Sequence, residues 1–225
     1  MIDETPGSGG ASEKVLDVRI PPVGLEGILT VPEGAQGIVV FAHGSGSSRF
    51  SPRNNYVAAG LREAGLATLL FDLLTVEEAA DRANVFDIGL LGRRLQDAKR
   101  WLTTQDELAA MSIGYFGAST GAAAALVAAA EDPEGVGAVV SRGGRPDLAG
   151  PALAKVRAPT LLIVGSLDVY VLELNRSALA QMRCEKELRI VAGASHLFEE
   201  PGTLDAVVDL AREWFRQHLI GRAEP

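Results

Sequence analysis

Short apolar runs, most of them uninterrupted by polar residues, recur along this chain, and longer segments of helical period separate them. Residues 37–42 (GIVVFA), 67–71, 113–116, 137–140, 160–164 and 188–191 read as strands. A strand that is apolar at nearly every position has no face to offer water, so it must be covered on both sides. Between the strands, residues 55–64 place Val57, Leu61 and Ala64 at helical spacing, and residues 85–102 set Ile88, Leu91, Leu95, Ala98 and Leu102 on one face. Residues 121–130 form a helix too apolar to face water, residues 171–182 another, and residues 204–219 a terminal amphipathic helix. Strand–helix alternation of this kind predicts an α/β fold, a mainly parallel central sheet with helices on both faces.

The first two apolar stretches, residues 15–20 and 25–31, flank Pro21, Pro22 and Gly24 and predict an antiparallel hairpin. Residues 72–84 are acidic and lack a clear period, so a loop or short helices over one end of the sheet are expected. Residues 1–13, rich in Gly, Ser and acids, read as a disordered tail ahead of a single domain over residues 14–221. No internal repeat or linker divides the rest.

Composition narrows the classes. With 47% hydrophobic and 22% charged residues, the chain has the balance of a folded domain, not of a disordered one. Its longest apolar run, residues 122–130, is far short of the roughly 20 residues of a membrane span. A formal charge of −8 repels phosphate backbones and argues against a nucleic-acid partner. The single Cys184 excludes an internal disulfide and a cysteine-based zinc cage, and it reads as a small buried residue in a helix. The N-terminus lacks the basic and apolar regions of a signal peptide, so a cytoplasmic location is expected.

In open α/β sheets ligands bind beyond the carboxyl ends of the strands. Beyond residue 116 comes Gly117-Ala118-Ser119-Thr120-Gly121, a G-x-S-x-G between strand and helix. The glycines permit a sharp turn that lifts the Ser119 hydroxyl above the sheet, as a nucleophile elbow requires. A serine needs a base, most often histidine. Of three histidines, His218 lies at the end of the terminal helix and complements its negative end; His43 directly follows a buried strand; His196 sits in the loop after the last strand. His196 is the candidate base. Asp168, after the strand 160–164, is the candidate acid that orients it, with Asp147 as a competitor and Glu199 or Glu200 read as caps of the terminal helix. The segment His43-Gly44-Ser45-Gly46 supplies small residues around a site for an oxyanion. The amides of Ser45 and Thr120 are the candidate donors, and His43 fixes the loop. A phosphate cradle is the competing reading of this loop, but it lacks the lysine of a P-loop. Arg49, Arg53 and Arg142 read as solvated or structural arginines paired with the excess of acids, with contact to an anionic substrate as the alternative.

These motifs, in the order Ser, acid, His, resemble the α/β-hydrolase superfamily and, within it, the small dienelactone-hydrolase-like branch. The resemblance extends from Val15 to Leu219. It implies an α/β-hydrolase fold with little or no lid, Ser119, Asp168 and His196 as the triad, Ser45 and Thr120 at the oxyanion hole, and His43, Gly44, Gly117 and Gly121 as supporting residues. It implies cleavage of carboxylic esters or lactones without cofactor or metal. True dienelactone hydrolases use a cysteine nucleophile, so Ser119 shifts the expectation toward general esterase chemistry. Some relatives carry a fused phosphoribosyltransferase domain; none is expected here. The expected partner is a small ester or lactone, with no nucleic acid or membrane, and the chain is expected as a monomer or homodimer. A non-catalytic ligand-binding protein and an acyltransferase are the alternatives.

Overall fold

A computed structural model describes residues 12–220. The sheet begins with β1 (Glu13–Ile20) and β2 (Leu25–Pro32), an antiparallel hairpin. Six further strands follow: β3 (Gly37–Ala42), β4 (Leu66–Phe71), β5 (Ser112–Ala118), β6 (Ala138–Arg142), β7 (Thr160–Gly165) and β8 (Lys186–Val191). Their spatial order is β1-β2-β4-β3-β5-β6-β7-β8, parallel from β4 onward. Glu13, expected in the tail, opens β1; the remaining tail reading over residues 1–11 lies outside the described residues.

Among the described residues seven α-helices cover the sheet: α1 (Pro52–Glu63), α2 (Val76–Ala79), α3 (Arg82–Val85), α4 (Ile88–Leu102), α5 (Thr120–Glu131), α6 (Val169–Gln181) and α7 (Thr203–Phe215). Alternation along β3 sorts them. Ile38 and Val40 face one core with Leu91 and Leu95 of α4 and the alanines of α5. Val39 and Phe41 face the other, with Val57 and Leu61 of α1 and Val207 and Phe215 of α7. The rings of Phe41 and Phe116 lie 4.9 Å apart near the carboxyl ends of β3 and β5, a pairing worth about 1 kcal/mol beyond its burial. Helix α5 is buried along nearly its whole length, and its alanines let it lie close on the sheet. No helix among the described residues is long and apolar enough to cross a membrane.

Three local expectations need correction. The helix expected over residues 85–102 starts at Ile88, because the Asp87 side chain accepts the Leu90 N–H at 2.9 Å and caps it. Cys184 is not helical: α6 stops where Met182 turns extended, and Cys184 sits half-buried in the connection to β8. Helix α7 runs on into a π-helical turn, Arg216–Ile220, where His218 is buried 4.5 Å from the Trp214 ring. A kinked 3-10 segment, Pro146–Lys155, was not expected from the periodicity; Gly150 breaks it at φ 51°.

Candidate active site

Ser119 stands between β5 and α5 at φ 51°, ψ −122°. A non-glycine residue in this region costs about 1–3 kcal/mol, a strain that persists only where the surroundings enforce it. Here they do. A Cβ on Gly121 would meet the carbonyl oxygen of Ala42 and lie 2.5 Å from that of His43; one on Gly117 would lie 2.7 Å from the Ala122 nitrogen. The chain can turn this sharply against β3 only with glycine at both places. Backbone bonds lock the turn: the Ser119 N–H donates to the Arg142 carbonyl at 3.3 Å, and the Arg145 N–H donates to the Ser119 carbonyl at 3.0 Å.

His196 lies in the loop after β8, and its Nδ1 is 2.6 Å from Oδ2 of Asp168, the residue that opens α6. A neutral imidazole donating there leaves Nε2 as its basic nitrogen. The loops after β7 and β8 are drawn together at Gly165, where a Cβ would lie 2.7 Å from the Ser195 carbonyl oxygen. The competing acids are occupied elsewhere. Asp147 takes both arms of Arg145 at 2.8 and 2.9 Å, and Glu199 pairs with Arg53 at 3.3 Å. Glu200 accepts the Ser195 N–H at 3.0 Å, which holds its carboxyl below the usual range. Neither glutamate side chain caps α7, whose N-cap residue is Gly202.

Ser119 and His196 line one cavity of about 290 Å³, with Gly44 and Ser45 on its wall. Gly44 packs on Ser119: a Cβ there would lie 3.0 Å from Ser119 Cβ. No hydrogen bond joins Ser119 Oγ to His196 among the described residues. The Thr120 amide, first of α5, is one of the helix's orphan donors. The Ser45 amide is engaged, donating to Thr120 Oγ1 at 2.9 Å. An oxyanion would have to take the place of that hydroxyl as its acceptor.

His43 lies on the far side of the same loop. Its Nδ1 donates to the Gly44 carbonyl at 3.0 Å and its Nε2 accepts the Leu73 N–H at 3.1 Å. Both nitrogens are used, and burial pushes its pKa down. It lines a second cavity of about 270 Å³ with Leu73, Leu74, Val76 and Leu91. The two cavities share Gly44, Ser45 and Ser47. Arg49 is tied to Asp72 and to Glu26, the latter at 2.6 Å, so it carries structure. Among the described residues no cluster of His, Cys, Asp or Glu could hold a metal ion.

The dienelactone hydrolase family matches residues 25–218. A crystal structure of dienelactone hydrolase from Anabaena variabilis superimposes with a TM-score of 0.88 at 58% identity, covering 93% of this chain and 99% of that one. Est1E from Butyrivibrio proteoclasticus shares the fold, with a TM-score of 0.75 at 14% identity over 90% of this chain and 98% of its own. A curated Mycobacterium tuberculosis protein carrying the name of a phosphoribosyl transferase is 64% identical over 209 residues, 93% of this chain. The chain spans about half of that relative, 47% of its length. By family match, by identity and by fold, this chain belongs to the dienelactone hydrolase family.

Proposed function

We propose that the chain is a serine hydrolase that cleaves small carboxylic esters or lactones through an acyl-enzyme. One observation carries the reading: a strained serine at a strand–helix elbow shares its cavity with a histidine whose Nδ1 is held by an aspartate. Ser119 Oγ attacks the carbonyl carbon as His196 Nε2 takes its proton. Asp168 keeps the imidazole in the right tautomer and stabilises its charged form. The Thr120 amide, joined by Ser45 once its bond to the Thr120 hydroxyl is exchanged, holds the tetrahedral oxyanion. Each such donor typically lowers the barrier by about 3 kcal/mol. His196 then protonates the leaving alcohol, and water clears the acyl group by the reverse proton path. Catalytic hydrogen bonds are often long before substrate arrives, so the unmade Ser119–His196 bond fits a resting site.

Two measurements test this. A fluorophosphonate probe should label the parent and not Ser119→Ala. Turnover of p-nitrophenyl acetate and butyrate should fall at least about a thousandfold in the same variant. Equal turnover in both would leave a ligand-binding protein. Transfer of the acyl group to an added alcohol in preference to water would make the chain an acyltransferase.

A further inference from the structure

Among the described residues two arginines are buried, and one of them has a carboxylate. Arg94 of α4, 8% exposed, lies between Glu78 and Asp97. Arg142, the last residue of β6, is 7% exposed and pairs with no carboxylate among the described residues. Its guanidinium donates one long bond, 3.4 Å, to Asn54 Oδ1 and lies 5.8 Å from the centre of the Phe198 ring. Its Nε is buried without a partner. A buried cation costs free energy unless a counter-charge faces it. Burial and the nearby Arg53 lower its pKa only to about 10, so it stays charged at neutral pH.

Arg142 lines the cavity that holds Ser119 and His196. Arg53, Asn54 and Ser51, all at the start of α1, line it too, and the lining contains no carboxylate. Helix α1 has no acidic residue in its first turn, so its positive end is uncompensated there. Ser51 caps the Asn54 N–H and Pro52 has none, which leaves the Arg53 N–H as the one first-turn amide beside the side chains of Arg53 and Arg142. Arg53 is paired with Glu199 at 3.3 Å, so within a chain of net charge −8 the uncompensated positive charge at this corner is that of Arg142.

We propose that this corner of the cavity binds a phosphate group carried by the substrate, with Arg142 as its buried cation and Arg53 at its mouth. The assignment deepens the esterase reading and rests on it. Donors reach the corner from β6 and from α1. A tetrahedral anion can meet several directions at once, whereas a planar carboxylate matches a single guanidinium fork. The fitting substrate class is an ester bearing a phosphate beside the scissile bond.

The test does not depend on which side of the ester carries the anion. Phosphate on Arg142 would sit in the same cavity of about 290 Å³ as Ser119 and His196, so at constant ionic strength inorganic phosphate should exclude p-nitrophenyl acetate and inhibit its hydrolysis competitively. Acetate ion should inhibit at least about tenfold more weakly. Arg142→Gln should raise the phosphate Ki at least about tenfold, and Arg142→Lys, which keeps the charge and loses the fork, should fall between. Absence of competition, equal Ki values in parent and Arg142→Gln, or acetate competing as well as phosphate would each overturn the proposal. Calorimetric titration of phosphate into the folded parent and into Arg142→Lys reads the same site without turnover. Phosphate binding without ester hydrolysis would defeat the esterase reading alone; hydrolysis without phosphate binding would defeat this one.

Discussion

At the end of β5, Ser119 is held through its backbone: a strained φ of 51°, glycines pressed against Ala42 and His43, and main-chain bonds to residues 142 and 145. Across the cavity, His196 is held through its side chain, by one bond of 2.6 Å to Asp168. Its imidazole is 40% exposed. Two side chains that line one cavity thus depend on different physics. The first is fixed by steric exclusion inside a packed core. The second is fixed by a directional hydrogen bond between two loops. The first should fail as loss of fold, the second as loss of chemistry.

The largest expected effect tests the second half of that contrast. Asp168→Asn keeps the shape but reverses the preferred tautomer of His196, so kcat should fall about 10⁴-fold, close to 5.5 kcal/mol of barrier. Thermal melting should move by no more than a few degrees. A large drop in Tm together with activity would mean that the β7 and β8 loops are structural after all. Gly121→Ala tests the first half. Its new methyl must displace the backbone of β3, at a cost of about 3 kcal/mol or more. Urea unfolding should show it as a lower midpoint, whatever the activity. A normally stable but inactive Gly121→Ala protein would show that the elbow can relax, and that the packing around it is looser than the geometry implies.

How much of this was legible in the sequence follows the same division. Strands read well because Gly37–Ala42 and Thr160–Gly165, buried on both faces, carry no polar position beyond the opening Thr160. The elbow read well because steric exclusion leaves a residue signature, glycine on both sides of Ser119. Asp168 is read from its place after β7 as the partner of His196, and the structure puts its Oδ2 2.6 Å from Nδ1; that Asp147 is engaged by Arg145 is a bond no spacing encodes. The kinked segment Pro146–Lys155 was missed because its Pro and Gly punctuation resembles a loop. The split at Asp87 was missed because the apolar period runs straight through the cap. Arg142 was grouped with paired arginines because absence of a partner is a property of three dimensions alone.

His43 is an intermediate case, a side chain that holds backbone. Both of its nitrogens are bonded to main-chain groups of two loops, and burial lowers its pKa below the ordinary 6.5. The unfolded chain then binds the proton more readily, so stability from this group is full above about pH 6.5 and falls as the pH drops. The slope contributed cannot exceed about 1.4 kcal/mol per pH unit. Urea midpoints of the parent and His43→Gln between pH 7.5 and 5 should diverge, with the parent the steeper. Parallel curves would mean that His43 accepts a proton in the folded state, and that its loop is held by backbone alone, like the elbow.

The smallest effect lies where the two modes meet. Thr120 belongs to the elbow by its backbone, and its hydroxyl takes the Ser45 N–H at 2.9 Å. Removing the hydroxyl in Thr120→Val costs one hydrogen bond, about 1 kcal/mol net. If that bond holds the oxyanion loop in place, kcat for p-nitrophenyl butyrate falls about fivefold at nearly constant KM, and Thr120→Ser restores it. A rise in kcat would mean that displacing this hydroxyl from the Ser45 amide costs the oxyanion more than the hydroxyl's hold on the loop returns. The predicted fall follows from geometry. Ser45 sits on a loop of small residues, with Gly44 against Ser119 and Gly46 at φ 71°. The Gly44 carbonyl of the same peptide is held by His43 and by the Ser47 N–H at 3.1 Å, and the Thr120 hydroxyl adds the hold on its N–H side, so its loss lets the donor direction wander by a little and the effect is small.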